Sequence, residues 1–138
     1  DLLGLDTRIV GVVSTEAPAY ARSFAAGQVV QTNDARTFAD GVACRLPDPE
    51  AVALIRSGVE RFVEVTDAQV AEAIRILYTD THNVAEGAGA IALAALLADA
   101  GTQGPDLFAG RPVAAIQTGG NIDADLLTEV LNGGTPGV

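Results

Sequence analysis

Residues 111–123 of this chain read RPVAAIQTGGNID, a short apolar run that leads straight into Thr118-Gly119-Gly120-Asn121 and then into an apolar-periodic helix. A strand that opens on a glycine turn and a helix is the repeating joint of an α/β sheet. Open sheets of this class bind ligands at the carboxyl ends of their strands, so the joint would present one hydroxyl, that of Thr118, where a ligand lies. Gly119 and Gly120 carry no Cβ, which lets a flat ligand or a neighbouring segment approach the backbone. A plain strand-to-helix turn has the same pattern.

The rest of the chain fits that class. Residues 8–13, RIVGVV, form a near-continuous β-branched run, expected as a strand buried on both faces of a parallel sheet. A helix through Tyr20, Phe24 and Ala25 should stop at Gly27, with a short extended piece at Val29-Val30, a turn over 33–36 and an irregular stretch over 37–44 around Asp40-Gly41. Asp48-Pro49 is a helix start, a capping acid followed by proline at the first helical position. Val52 and Ile55 face inward and Gly58 ends that helix. Residues 61–65, RFVEV, alternate as a half-buried strand does. Thr66 and Gln69 have capping-box spacing, and Val70, Ile74 and Leu77 share one helical stripe that weakens near His82-Asn83. A small-residue helix is expected from about Gly87 to Ala100, a loop over 101–110, and a last core strand over 113–117. Asp123 should cap a final helix through Leu126, Leu127 and Val130. The class is α/β: an open parallel-sheet layer with flanking helices, one domain over residues 1–131 and a frayed tail over 132–138.

Composition excludes several functions. A net charge of −10 argues against nucleic acid or an anionic membrane as a partner. The longest apolar stretch, 84–98, is alanine-rich and broken by Glu86 and glycines, so it reads as a buried helix rather than a membrane span of about 20 residues. Cys44 is the single cysteine, expected as a small buried hydrophobe; it cannot form an internal disulfide and suits a reducing compartment, which points to the cytoplasm. His82 has no neighbouring ligands in sequence and reads as a helix-end residue. Gly87-Ala88-Gly89 follows a helix rather than a strand, so it is not a nucleotide-binding loop.

Four segments occur in one order: APAYARSFAAG (17–27), TFADGVACRLPDPEA (37–51), HNVAEGAGAIALAALL (82–97) and TGGNID (118–123). Their order and spacing resemble the carboxyl-terminal part of the threonine/serine dehydratases, pyridoxal-phosphate lyases that include serine racemase. The resemblance runs over roughly residues 9–127 and implies the carboxyl-terminal portion of a fold type II, tryptophan-synthase-β-like enzyme. The family's amino-terminal half, with its cofactor lysine, asparagine loop and glycine-rich phosphate cup, has no counterpart in this sequence. All eight basic residues are arginine, so the chain has no amine for covalent attachment of the cofactor. It also has no methionine, and its opening DLLGLDTR reads like the end of a helix entering a strand. The chain is therefore expected to be a piece of a nicked, split or longer polypeptide.

The resemblance assigns four cofactor-facing residues. Thr118 matches a Ser or Thr whose hydroxyl bonds the pyridine nitrogen; a neutral partner leaves that nitrogen largely unprotonated and favours loss of a β-leaving group over transamination. Glu86 matches a carboxylate close to the ring, although an acid there also serves as a helix cap. Gly41 matches a glycine whose backbone lies beside the cofactor, although Asp-Gly is also a common turn. Gly119 belongs to the turn that carries Thr118. The metal-binding Glu and Asp of serine racemase-like members align with Val13 and Ala19, which offer no oxygen, so no metal site is expected.

The reaction implied by the resemblance is a β-elimination on L-threonine or L-serine, giving a 2-oxo acid and ammonia. The lysine that would remove the Cα proton lies in a complementing amino-terminal segment, the chain alone is inactive, and homodimers are usual. A racemase or a hydroxy-aspartate dehydratase is an alternative within this chemistry. A non-catalytic binding or interaction module that keeps the fold is the alternative outside it.

Overall fold

The computed structural model describes residues 4, 6–103 and 110–137. Most of the opening segment and the heart of the expected 101–110 loop therefore lie outside the described residues. Two strands, β1 (Ile9–Ser14) and β2 (Val59–Val65), pair in parallel, from Ile9 opposite Val59 to Ser14 opposite Val65, with a register shift after Ile9. Parallel neighbours need a crossover, and here it holds α1 (Ala19–Ala26) and α2 (Pro49–Gly58). Helix α1 ends at Gly27 in the left-handed conformation (φ 72°). The Asp48 side chain accepts from the amides of Glu50 and Ala51, as its place before Pro49 predicts.

The side chains of β2 divide between two layers. The Phe62 ring lies over Gly11 of β1 and packs against Phe24 of α1, with ring centroids 5.3 Å apart. Arg61 points the other way, to Asp99 of α4 (Gly87–Gln103), and Val63 and Val65 pack on the same side. Helix α3 (Asp67–Ile76) starts at the Thr66–Gln69 capping box and lies against α4. Val65, Val70, Ile74, Ala90 and Ala94 form the fully buried centre, closed by Val130 of α5 (Ala124–Leu131). Alanines and glycines on α4 let this packing be close.

Between α3 and α4 the chain makes a π-helical turn (Leu77–Thr81) and turns sharply at His82 (φ 57°), where the stripe was expected to weaken. Asp123 takes the N-cap position of α5 without a side-chain capping bond. Cys44, expected to be buried, is half-exposed with its thiol near the Leu46 carbonyl. Residues 132–134, read as frayed from sequence, fold back on α5 through backbone bonds, Arg75 donates to the carbonyls of Val130 and Gly134, and Pro136 is buried.

Two further expectations need correction. Residues 113–117 form no strand: they have no sheet partner among the described residues, and Val113 and Ile116 are 48% and 67% exposed. The amino-terminal half of β1 is not buried on both faces either, since Ile9 is 51% and Val10 38% exposed. For Val10 and Val113 the physical cause is shared. A ladder and a buried face each need a neighbour, and none of the described elements occupies the space between these two segments. That space is a cleft of about 790 Å³ floored by α4 and lined by Val10, Val12, Leu96 and Val113, with Arg61 and Arg111 also on its walls.

Candidate functional site

The start of α4 and the glycine turn after residue 117 are bound together by Glu86. Its amide donates to the Gly119 carbonyl (3.2 Å), and its Oε2 accepts from the Asn121 amide (2.9 Å). The carboxylate is thus committed to the turn opposite its helix, which a role as a helix cap does not require. Gln117 Nε2 donates to the Val84 carbonyl (3.1 Å), and Thr118 Oγ1 donates to the Ala88 carbonyl (3.3 Å). The hydroxyl therefore sits at the mouth of the turn on an exposed residue, one weak hydrogen bond from being free to serve another acceptor.

The segments meet too closely for side chains to be added without a shift. A Cβ on Gly89 would fall on the Gly119 carbonyl oxygen, and one on Gly119 would lie 2.5 Å from Glu86 Oε1. The third segment is the 3₁₀ turn Asp40–Val42. Its Gly41 backs onto α4, where a Cβ would lie 2.8 Å from Ala88 Cβ and 3.9 Å from Glu86 Oε1. Gly41, Glu86, Thr118 and Gly119, far apart in sequence, thus meet at one place. Glu86, alone of the four, lines a neighbouring cavity of about 310 Å³, with Thr37, Phe38, Asp40, Asn121 and Asp123 among its other walls. The larger 790 Å³ cleft holds none of the four; it is walled by β1, α4 and residues 111–115, with Arg8, Arg61, Asp99 and Arg111 among its apolar residues. The cluster around Glu86 is therefore the better candidate site, although it is the smaller opening.

Arg8 at the amino-terminal end of the sheet bonds the Glu60 carboxylate, holding it below the usual carboxylate range and raising its own guanidinium.

A family model described as pyridoxal-phosphate dependent enzyme matches residues 2–119, most of the chain. The chain belongs to that family. It is 30% identical over 129 residues to an L-threonine ammonia-lyase of Thermotoga maritima, covering 94% of this chain and 31% of that protein. An L-threonine ammonia-lyase of Geobacter sulfurreducens is 36% identical over 127 residues, covering 92% and 30%. Among solved structures, the processed form of threonine deaminase isoform 2 from Solanum lycopersicum superposes with a TM-score of 0.87 at 27% identity, over 96% of this chain and 38% of that one. The chain thus spans about a third of the length of the curated relatives it matches. The carboxyl-terminal resemblance and the fold type expected from sequence both stand.

The residues present fit one side of a flat aromatic cofactor of this pyridoxal-phosphate family. Two glycine backbones are held where side chains have no room, with one hydroxyl donor and one carboxylate beside them. They do not supply attachment, because the sequence contains no lysine. Sequence reading named Thr118, Glu86, Gly41 and Gly119. It missed the Asn121 amide, the Ala88 carbonyl and the close approach at Gly89, the last of which was signalled only by the small-residue run 87–90.

Proposed function

We propose that this chain is the carboxyl-terminal, ring-facing part of a pyridoxal-phosphate-dependent L-threonine/L-serine ammonia-lyase. The observation that carries the reading is the meeting of Thr118, Glu86, Gly41 and Gly119 at one glycine-lined junction. When bound, pyridoxal phosphate draws electrons from the Cα of an amino acid joined to it. Thr118 would donate its hydroxyl hydrogen to the ring nitrogen. Being neutral, it would leave that nitrogen unprotonated and so favour departure of a β-hydroxyl over transamination. Glu86, held by the Asn121 amide, would border the ring, while Gly41 and Gly119 let their segments close against α4 and Glu86 beside it. The balance is loss of the hydroxyl as water, return of one water and release of ammonia, leaving a 2-oxo acid.

The lysine must come from a complementing amino-terminal segment, and the chain alone would be inactive. The open flank of β1, the 113–117 segment, unpaired among the described residues, and the cleft between them support such a complement. The assembled enzyme would act in the cytoplasm as a homodimer on small hydroxy amino acids. No described helix is long and apolar enough to cross a membrane, and the lone cysteine suits a reducing compartment.

Reconstitution with a lysine-bearing amino-terminal segment should release ammonia and a 2-oxo acid from L-threonine or L-serine. A reconstituted complex that binds pyridoxal phosphate yet leaves both amino acids untouched would overturn the dehydratase reading.

A further inference from the structure

Asp67 opens α3 directly after its Thr66 cap, where an acid is ordinarily explained by the helix dipole. Its carboxylate instead gathers donors 29 to 53 residues away: Thr37 Oγ1 at 2.6 Å, the Phe38 amide at 3.2 Å and Ser14 Oγ at 3.3 Å. Ser14 and Thr37 are buried, so these donors have little access to water. An ionised carboxylate is an acceptor-only group with room for all three. The bonds continue into the loop. Thr37 Oγ1, having donated to Asp67, accepts from the Ala39 amide (3.1 Å), and the Ala39 carbonyl accepts from Val42 to close the turn that contains Gly41. Ala39 is in turn pressed against the first residue of α4, where a Cβ on Gly87 would lie 2.7 Å from Ala39 Cα.

We infer that Asp67 is a positioning residue: through Thr37 and Phe38 it fixes the 37–42 loop, and so sets how closely the Gly41 backbone faces Glu86 and Ala88. This inference rests on the function proposed above, because it gives the loop a cofactor to face. Asp67 touches no reacting group. It acts by holding Gly41 at a distance that a flat ring can use, since a small displacement of a positioned group weakens binding well out of proportion to its size.

The test separates loop placement from general stability. In the lysine-bearing complete protein, Asp67→Ala should weaken pyridoxal phosphate binding, read by absorbance titration, by about tenfold, the scale expected when a charged acceptor is lost. Amide exchange over 37–42 should quicken by more than exchange in α3 and α4. Asp67→Asn, which keeps one carbonyl acceptor, should fall between. Thr37→Val keeps the shape of the side chain and should speed exchange at Ala39 even if Asp67→Ala folds poorly. Asp48→Ala is the control: it removes a helix cap of comparable weight and should change neither reading. Equal effects of Asp67→Ala and Asp48→Ala on the loop and on cofactor affinity would overturn the inference. If the unmutated protein binds no pyridoxal phosphate, the proposed function fails by itself. Exchange over 37–42 then decides whether Asp67 fixes the loop: selective quickening supports it, and uniform quickening overturns it.

Discussion

Val65, Val70 and Ile74 are fully buried between β2, α3 and α4, whereas Val10 and Val113, equally apolar, stand 38% and 48% exposed on the cleft beside β1, and Ile9 and Ile116 are more exposed still. The first group meets partners that this chain supplies itself, from alanines of α4 to Val130 of α5. Val10 and Val113 face the open cleft instead. An apolar pattern states that a residue gains from burial, at roughly 25 cal/mol per Å². It does not state that the neighbour is in the same polypeptide. The site lies between these regions: α4 joins it to the packed side, and the exposed 113–117 segment leads into Thr118 from the cleft side.

The contrast breaks most directly at its core end. Ile74→Ala should cost about 2–5 kcal/mol in urea unfolding of the chain, while Ile116→Ala should stay within about 0.5 kcal/mol. Equal effects would mean that 113–117 is packed in solution. Next comes the junction. Gly89→Ala drives a methyl into the Gly119 carbonyl and should destabilise by about 1–3 kcal/mol. Gly101→Ala, on the same helix with nothing within 4 Å, should stabilise by about 0.4–1 kcal/mol. Thermal melts of the pair give the contrast.

The caps were legible because their chemistry is local. Asp48 before Pro49, Thr66 with Gln69 and the left-handed Gly27 each act within one turn of their own position. The four residues proposed to face the cofactor were named through the order of their segments, not through any pattern that spacing alone shows. The fate of 113–117 was not legible, because pairing depends on a neighbour that periodicity does not contain. Asp67 was hidden for a related reason: beside a capping box, an acid already has a sufficient local explanation, and its donors are 29 or more residues away. Gly89 was read only against nucleotide-binding loops, whereas its lack of a side chain serves the approach of Gly119.

Smaller effects are expected at the site and at the sheet's edge. Thr118→Ala should weaken pyridoxal phosphate binding by the complemented protein by about tenfold or less, the worth of one neutral hydrogen bond, and leave the chain's melting temperature nearly unchanged. Glu60 should matter least. Its folded carboxyl is held below the usual range by Arg8, so its contribution is present above that range and fades as the pH falls through the lowered folded value. Both partners are exposed, so Glu60→Gln should slightly flatten the acid side of the melting curve against pH and leave the neutral side in place.

The most direct test of the central claim is the visible absorption spectrum of the complemented protein after addition of pyridoxal phosphate. The band of a lysine-bound cofactor is predicted, shifting when L-threonine or L-serine is added. A complex that assembles with its lysine in place and shows no such band would contradict the claim.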